Sequence, residues 1–151
     1  MYPPHYIQTM VNALKQKDVV AVYGLWSFIA DDKHPKIGLF FYELLRDIHL
    51  RIQNIQRPEL CVRGMVFGFR TEEAQKYGFR TDIIRGEDGS LALNLKKEGK
   101  LIFVTSRKAR ALTGNGTLNA DGSLFKSFLF RVKKAARGIS GLFTRKSYYD
   151  D

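Results

Sequence analysis

Basic side chains are the chemically active groups that this sequence concentrates in one place. Residues 96–146 contain 13 lysines and arginines against two acidic residues. A cluster of ammonium and guanidinium groups can neutralise phosphates and release their counterions. We therefore predict that the cations of this stretch bind an anionic partner: Lys96, Lys97, Lys100, Arg107, Lys108, Arg110, Lys126, Arg131, Lys133, Lys134, Arg137, Arg145 and Lys146.

The residue types that usually bind metals or act as nucleophiles are few and poorly spaced. His5, His34 and His49 form no His-x-x-x-His pair, and the sequence has no Walker loop and no Gly-x-Ser-x-Gly motif. A single cysteine, Cys61, rules out an internal disulfide and a four-cysteine zinc site. Its apolar neighbours predict a buried, inert thiol. We expect a non-enzymatic protein without a metal or cofactor.

His34 follows two carboxylates in a short polar stretch. We favour a solvated cap in front of a helix that begins at Pro35. The alternative is a polar cluster of Asp31 and Asp32 with the imidazole.

Short matches along the middle of the chain carry one family resemblance. Leu60-Cys61-Val62-Arg63-Gly64, Glu72-Glu73-Ala74, Tyr77-Gly78-Phe79 and Phe103-Val104-Thr105-Ser106 resemble, in that order, the landmarks of ADP-ribosyltransferase toxins. The resemblance implies NAD as the cofactor, Arg63 on its nicotinamide-side phosphate and ribose, and Thr105 and Ser106 bracing the cleft. Val104 departs from the hydroxyl triad of that family, and no Glu-x-Glu follows residue 106. A transferase-like domain, truncated or inactive, is therefore the alternative function.

Composition and charge indicate the class of protein and of partner. The 151 residues, 44% of them hydrophobic, predict one globular domain over 1–146 with a tail at 147–151. Residues 1–75 carry 9 basic against 8 acidic residues, whereas residues 76–151 carry 16 against 7. This asymmetry suggests an anionic partner, which can be nucleic acid, lipid headgroups or an acidic protein, and we take nucleic acid as the first choice. No signal peptide or transmembrane run is visible, so we expect a cytoplasmic protein.

The last basic segment, 123–146, also shows helical periodicity. Its apolar residues recur at 124, 125, 128, 129, 132, 136, 139 and 143, with the cations mostly off that stripe. This pattern predicts a basic amphipathic helix. Such a helix can contact phosphates, lie on an anionic membrane surface, fill a groove on a partner, or dock on its own domain.

Helices are predicted for most of the N-terminal half. Ile7, Met10, Val11 and Leu14 form one face of a first helix. Residues 19–29 are predicted to form a second helix, capped by Asp18, with a buried strand as the alternative. A long helix is predicted from Pro35 to the stop at Pro58. We expect it to be the core helix, because one apolar stripe runs along it: Ile37, Phe40, Phe41, Leu44, Leu45, Ile48, Ile52 and Ile55.

Strands are predicted for the middle of the chain. The segment Leu60–Phe69 is β-prone. Three further strands, over 79–85, 91–95 and 101–106, are separated by Gly-containing turns and predict an antiparallel meander. The fold class that follows is α+β, with N-terminal helices, an antiparallel sheet of about four strands, and the basic C-terminal helix.

Overall fold

Helices and short strands alternate in this computed structural model, which describes residues 1–83, 86–116, 118, 126 and 129. The α+β class is confirmed. The basic helix predicted over 123–146 lies outside the described residues, apart from Lys126 and Leu129, which are helical and exposed. The regular elements are α1 (Tyr6–Leu14), β1 (Val19–Gly24), β2 (Trp26–Phe28), α2 (Lys36–Gln56), β3 (Phe67–Phe69), α3 (Thr71–Gln75), α4 (Glu87–Glu98), β4 (Lys100–Val104) and β5 (Ala111–Thr113).

The main sheet contains three strands in the described part of the chain, not the four or so predicted. Their order is β3-β1-β4, with β1 in the centre. β1 is antiparallel to β3, with Ala21 opposite Phe69, and parallel to β4, with Val22 opposite Ile102. The sheet is therefore mixed, and only one of its two pairings is antiparallel. β2 and β5 form a separate two-stranded sheet.

The prediction of a helix over 19–29 is wrong. The strand alternative is correct, since these residues form β1 and β2. All six residues of β1 are buried. A central strand that is covered on both faces has a continuous apolar sequence, which periodicity cannot distinguish from a buried helix. Asp18 does not cap a helix. It takes a left-handed conformation, with a φ of 63°, in the turn that leads into β1.

The meander predicted over 79–106 is also wrong. Residues 91–95 lie in α4, where Leu91, Ala92 and Leu95 share a buried face. The alternation of leucines at 91, 93 and 95 suggested a half-buried strand. The Gly-containing turn predicted between the strands 79–85 and 91–95 instead forms the start of α4. Glu87 and Asp88 lie in its first turn, where the helix dipole stabilises carboxylates. Residues 79–83 form no helix or strand.

Of the strand predicted over Leu60–Phe69, only the last three residues form a strand, which is β3. The preceding residues form two 3₁₀ helices, Pro58–Cys61 and Gly64–Val66. Between these helices and α4, the backbone N–H of Gly64 donates to a carboxylate oxygen of Asp88 at 2.7 Å. A Cβ at position 64 would lie 3.0 Å from that carboxylate, so the contact needs glycine or a shift of Asp88.

The chain divides into two compact units. One consists of Met1–Ser27 and Asp47–Thr113, and its main apolar cluster joins the sheet to α3 and α4 through Val20, Ala21, Ala74, Leu91 and Leu95. The other consists of Phe28–Arg46 and Gly114–Asp151. In its described residues, Leu39, Tyr42 and Leu118 form a second cluster, with Phe28 and Ala30 against it.

The long helix is confirmed as α2, but its predicted role as a core helix through the apolar stripe is wrong. The buried residues of α2 are Leu39, Tyr42, Arg46, Asp47 and Leu50. All eight residues of the predicted stripe are exposed, and we call them the outer face of α2: Ile37, Phe40, Phe41, Leu44, Leu45, Ile48, Ile52 and Ile55. The helix therefore turns most of its polar side chains towards the protein.

Specific polar contacts account for this orientation. In the first unit, Asp47 forms an ion pair with Arg110, which also donates to Ser27 Oγ at 3.0 Å. Asn54 accepts a hydrogen bond from the hydroxyl of Tyr23. In the second unit, Glu43 accepts from the backbone N–H of Phe28 at 2.6 Å. Buried polar groups need such partners, and these contacts fix which side of α2 faces inward.

The prediction for α1 contains a smaller error of the same kind, in the side of the helix that is buried. Its existence is confirmed, but its buried residues are Tyr6, Met10 and Ala13. Ile7 and Val11, which the sequence placed on the inner face, are exposed. The helix is thus rotated relative to its predicted apolar face.

Candidate anion-binding site

The parallel pairing of β1 and β4 places the N-terminal ends of both strands at one edge of the sheet. The backbone N–H of Lys100 donates to the carbonyl oxygen of Asp18 at 2.7 Å. Lys17 directly precedes Asp18, and Lys15 is the C-terminal cap of α1. Lys97 lies in the last turn of α4, just before β4. These four exposed lysines, which we call the basic edge, therefore come from two segments distant in sequence.

Glycine permits the close approach of these two segments. A Cβ at position 99 would lie 2.6 Å from the carbonyl oxygen of Asp18, closer than real Cβ contacts allow. Gly99 has extended backbone angles that any residue can adopt, so the requirement comes from space and not from conformation.

The charges at the basic edge stay accessible to solvent. The side chain of Lys100 is 69% exposed and lies 4.0 Å from the carboxylate of Asp18, which is itself 58% exposed. An exposed ion pair at that distance contributes little, so Lys100 remains available to another anion. Lys97 donates a hydrogen bond to Asn94 Oδ1 at 3.0 Å. Because this amide oxygen is neutral, the contact does not neutralise the charge of the lysine.

Arg70 supports the basic edge structurally, because its guanidinium donates hydrogen bonds to the backbone of the neighbouring segments. Its Nε donates to the carbonyl oxygen of Val19 at 2.7 Å, and one terminal nitrogen donates to that of Leu14 at 3.1 Å. The guanidinium thereby ties the end of α1 to the start of β1.

The predicted anion-binding residue Lys96 has a structural partner. Its Nζ lies 3.3 Å from a carboxylate oxygen of Glu59, whose side chain is only 2% exposed. Arg57 Nε contacts the other oxygen at 2.9 Å. A buried carboxylate is costly unless it is paired, so both cations serve to neutralise Glu59.

The predicted cations after β4 lie at the other end of that strand. Arg107 and Lys108 are exposed in a short 3₁₀ helix, Arg107–Ala109, which is capped by Ser106. The five residues of β4 span roughly 16 Å, which separates this helix from the basic edge. Arg110 is held by Asp47. Within the first unit, the predicted cations therefore lie in three places: Lys96 at Glu59, Lys97 and Lys100 at the basic edge, and Arg107, Lys108 and Arg110 after β4.

Lys126 is helical and exposed, and the remaining predicted cations lie outside the described residues: Arg131, Lys133, Lys134, Arg137, Arg145 and Lys146. The sequence argument missed Lys15 and Lys17. It would have found them by placing a strand at 19–24 parallel to the strand that begins at Lys100.

The residues of the transferase resemblance have local partners. A terminal nitrogen of Arg63 donates to the carbonyl oxygens of Leu60 and Val62, at 3.2 and 2.5 Å. Arg63 lies between two 3₁₀ helices and not on a strand. Thr105 and Ser106 follow β4, and Ser106 Oγ accepts from the backbone N–H of Lys108 at 3.2 Å.

Cys61 is buried, as predicted. Burial raises the pKa of its thiol to about 12, which keeps the thiol protonated at neutral pH. Among the described residues, no three His, Cys, Asp or Glu side chains are grouped so as to hold a metal ion. No helix of the described segments is long and apolar enough to cross a membrane.

The stretch before α2 forms a polar cluster, which was the alternative to the favoured solvated cap, and His34 is buried in it. His34 Nδ1 lies 2.8 Å from Oδ1 of Asp31, and Asn115 Nδ2 donates to Oδ2 of Asp31 at 2.6 Å. The same amide nitrogen donates to the carbonyl oxygen of Ile29 at 2.7 Å. The hydrogen bond from Asn115, followed by those from His34, lowers the pKa of Asp31 to about 2.

Comparison with known proteins gives no match for this chain among protein-family models, curated proteins or solved structures.

Proposed function

We propose that this chain is a non-enzymatic module that binds an anionic polymer, in the first place nucleic acid, through its phosphates. The observation that carries the proposal is the hydrogen bond from Lys100 N to Asp18 O. It brings two lysine-bearing segments together at one rim of the sheet. Four exposed ammonium groups at one rim suit a phosphate chain better than a single small anion.

The mechanism is phosphate neutralisation with release of counterions, so affinity falls steeply as salt is added. Lysines act on phosphates as point charges and do not distinguish base edges. We therefore expect binding with little sequence specificity. The cations from Lys126 onward belong to the proposal by their charge, because they raise the net charge of residues 76–151 to +9.

The test measures binding of labelled single- and double-stranded oligonucleotides across a salt series. The variant K17Q/K97Q/K100Q removes three charges from the basic edge. Its matched control, K33Q/K36Q/R63Q, removes three exposed charges elsewhere. For duplex DNA we expect the first variant to reduce the log–log salt slope by about 2 to 3. We expect the control to leave the slope unchanged.

Equal losses in both variants would contradict a defined site and leave only nonspecific charge attraction. The absence of oligonucleotide binding at low salt would contradict the proposal itself. A parallel sedimentation run with anionic vesicles separates the membrane alternative, which requires vesicle binding without oligonucleotide binding.

A further inference from the structure

The outer face of α2 is an apolar surface of unusual extent for an exposed helix. The exposed fractions of its eight side chains range from 45% for Leu44 to 80% for Ile55. At 100° per residue these positions cover one continuous arc of about 140°. Arg51 is the one charged residue within that arc. Contiguous apolar surface of this kind marks an interaction site.

Six of the eight residues follow a palindromic spacing. Ile37, Phe40, Leu44, Ile48, Ile52 and Ile55 are separated by 3, 4, 4, 4 and 3 residues. Read from either end, these six positions give the same pattern, with position 46 at the centre. The other two residues of the outer face, Phe41 and Leu45, have Arg51 and Asp47 at their mirror positions.

This symmetry suits a second copy of the helix running in the opposite direction. With a twofold axis at position 46, Ile37 of one copy meets position 55 of the other, and Phe40 meets position 52. The central pair is Leu44 against position 48. A twofold interface requires such self-complementarity, because the same patch serves both copies. We propose that the outer face of α2 is the interface of an antiparallel homodimer.

The area of the face is sufficient for this assembly. Eight large side chains, between about half and four-fifths exposed, offer on the order of 1,000 Å² of apolar surface per copy. A stable interface of standard size buries about 800 Å² per partner. The dimer would therefore cover the face without help from other elements.

The distribution of charge on α2 argues against an anionic membrane as the occupant of the outer face. Asp31 and Asp32 are exposed just before the helix and offset the charges of the exposed Lys33 and Lys36, so this end has no net positive charge to attract anionic headgroups. An interfacial helix also presents lysines and arginines around its apolar face, whereas most polar side chains of α2 face the protein.

The first test is sedimentation velocity over a wide protein concentration range. The double variant L44E/I48E places two carboxylates at the centre of the proposed interface. Its matched control is I7E/V11E, which makes the same change at an exposed i, i+4 pair on α1. We expect the first variant to weaken dimerisation by on the order of 100-fold, because central positions dominate interfaces. The control should dimerise like the parent chain, and circular dichroism confirms that both variants fold.

The second test reports the direction of the helices. In the antiparallel dimer, a chain with Ile37→Cys mixed with a chain with Ile55→Cys forms a disulfide-linked heterodimer on oxidation. Either chain alone forms none, since the two like positions of a pair lie about 27 Å apart. Native Cys61 is buried and does not interfere.

Four results would overturn the inference. The parent chain could be monomeric at every concentration, or its dimer could survive L44E/I48E unchanged. Each cysteine variant could cross-link with itself. The monomer could bind anionic vesicles in a way that L44E/I48E abolishes, which would assign the face to a membrane. None of these results depends on the basic edge, so this inference and the proposed function fail independently.

Discussion

The two sides of α2 differ in the opposite sense from an ordinary surface helix. The inner side buries Arg46 and Asp47 together with Leu39 and Leu50, while the outer face exposes eight large apolar residues. Hydrophobic burial alone would rotate the helix by about half a turn. The polar contacts of Asp47 and Asn54 within the first unit oppose that rotation, because each would lose its partner. Hydrophobic periodicity therefore locates a helix, whereas polar partners decide which side faces the protein.

The largest difference between the two sides is expected when one apolar residue on each side is shortened. Leu50→Ala removes a side chain that is 3% exposed and should lower the free energy of unfolding by about 3 kcal/mol, through lost burial and a cavity. Ile55→Ala acts at a position that is 80% exposed and should change it by less than about 0.5 kcal/mol. Urea unfolding at a dilution where the chain is monomeric measures both. Similar losses would show that the outer face is covered within one chain.

A smaller effect is expected from removing a charge on each side. Arg110→Ala removes the guanidinium that pairs with the carboxylate of Asp47, and we expect the free energy of unfolding to fall by about 2 kcal/mol, because the pair is largely shielded from solvent. Arg51→Ala removes an exposed guanidinium on the outer side and should cost less than about 0.5 kcal/mol. Thermal unfolding of the two variants at the same pH provides the measurement. A loss for Arg51→Ala as large as that for Arg110→Ala would contradict the assignment of the inner side.

The smallest effect concerns the polar cluster in front of α2. The folded-state pKa of Asp31 is about 2, below its unfolded value of about 4, so its contribution to stability is present above pH 4. This contribution is lost as the pH falls from about 4 towards 2. Urea unfolding between pH 2.5 and 5 should therefore show a weaker acid dependence for Asp31→Asn than for the parent chain. Asp32→Asn is the control, and an identical slope for parent and Asp31→Asn would refute the role of the cluster.

The sequence predicted those features that depend on local pattern. The α+β class, α1, the length of α2 and the burial of Cys61 all follow from periodicity, proline positions and apolar neighbours. The sheet was harder, because β1 is a continuous apolar run and the alternating leucines of α4 imitate a strand. Both errors come from short segments in which helix and strand patterns overlap.

The candidate site depended on pairing information that periodicity does not contain. Lys97 and Lys100 were predicted as anion-binding residues, whereas Lys15 and Lys17 become their neighbours only because β1 and β4 are parallel. The roles of Lys96 and Arg110 depend on Glu59 and Asp47, which are distant in sequence. A charge count identifies cations but cannot show which of them already have a carboxylate partner.

The close contact at Gly99 has a further consequence for how the lysines would act. The backbones of the two segments touch there, so the spacing between Lys100 and the turn that carries Lys17 is fixed by backbone contact. Adjacent strands lie about 4.8 Å apart, a separation set by the hydrogen bonds between them. The backbone entropy needed to bring these positions together is lost during folding, before any anion binds. The basic edge is in this sense preorganised, and only the lysine side chains have to become ordered on binding.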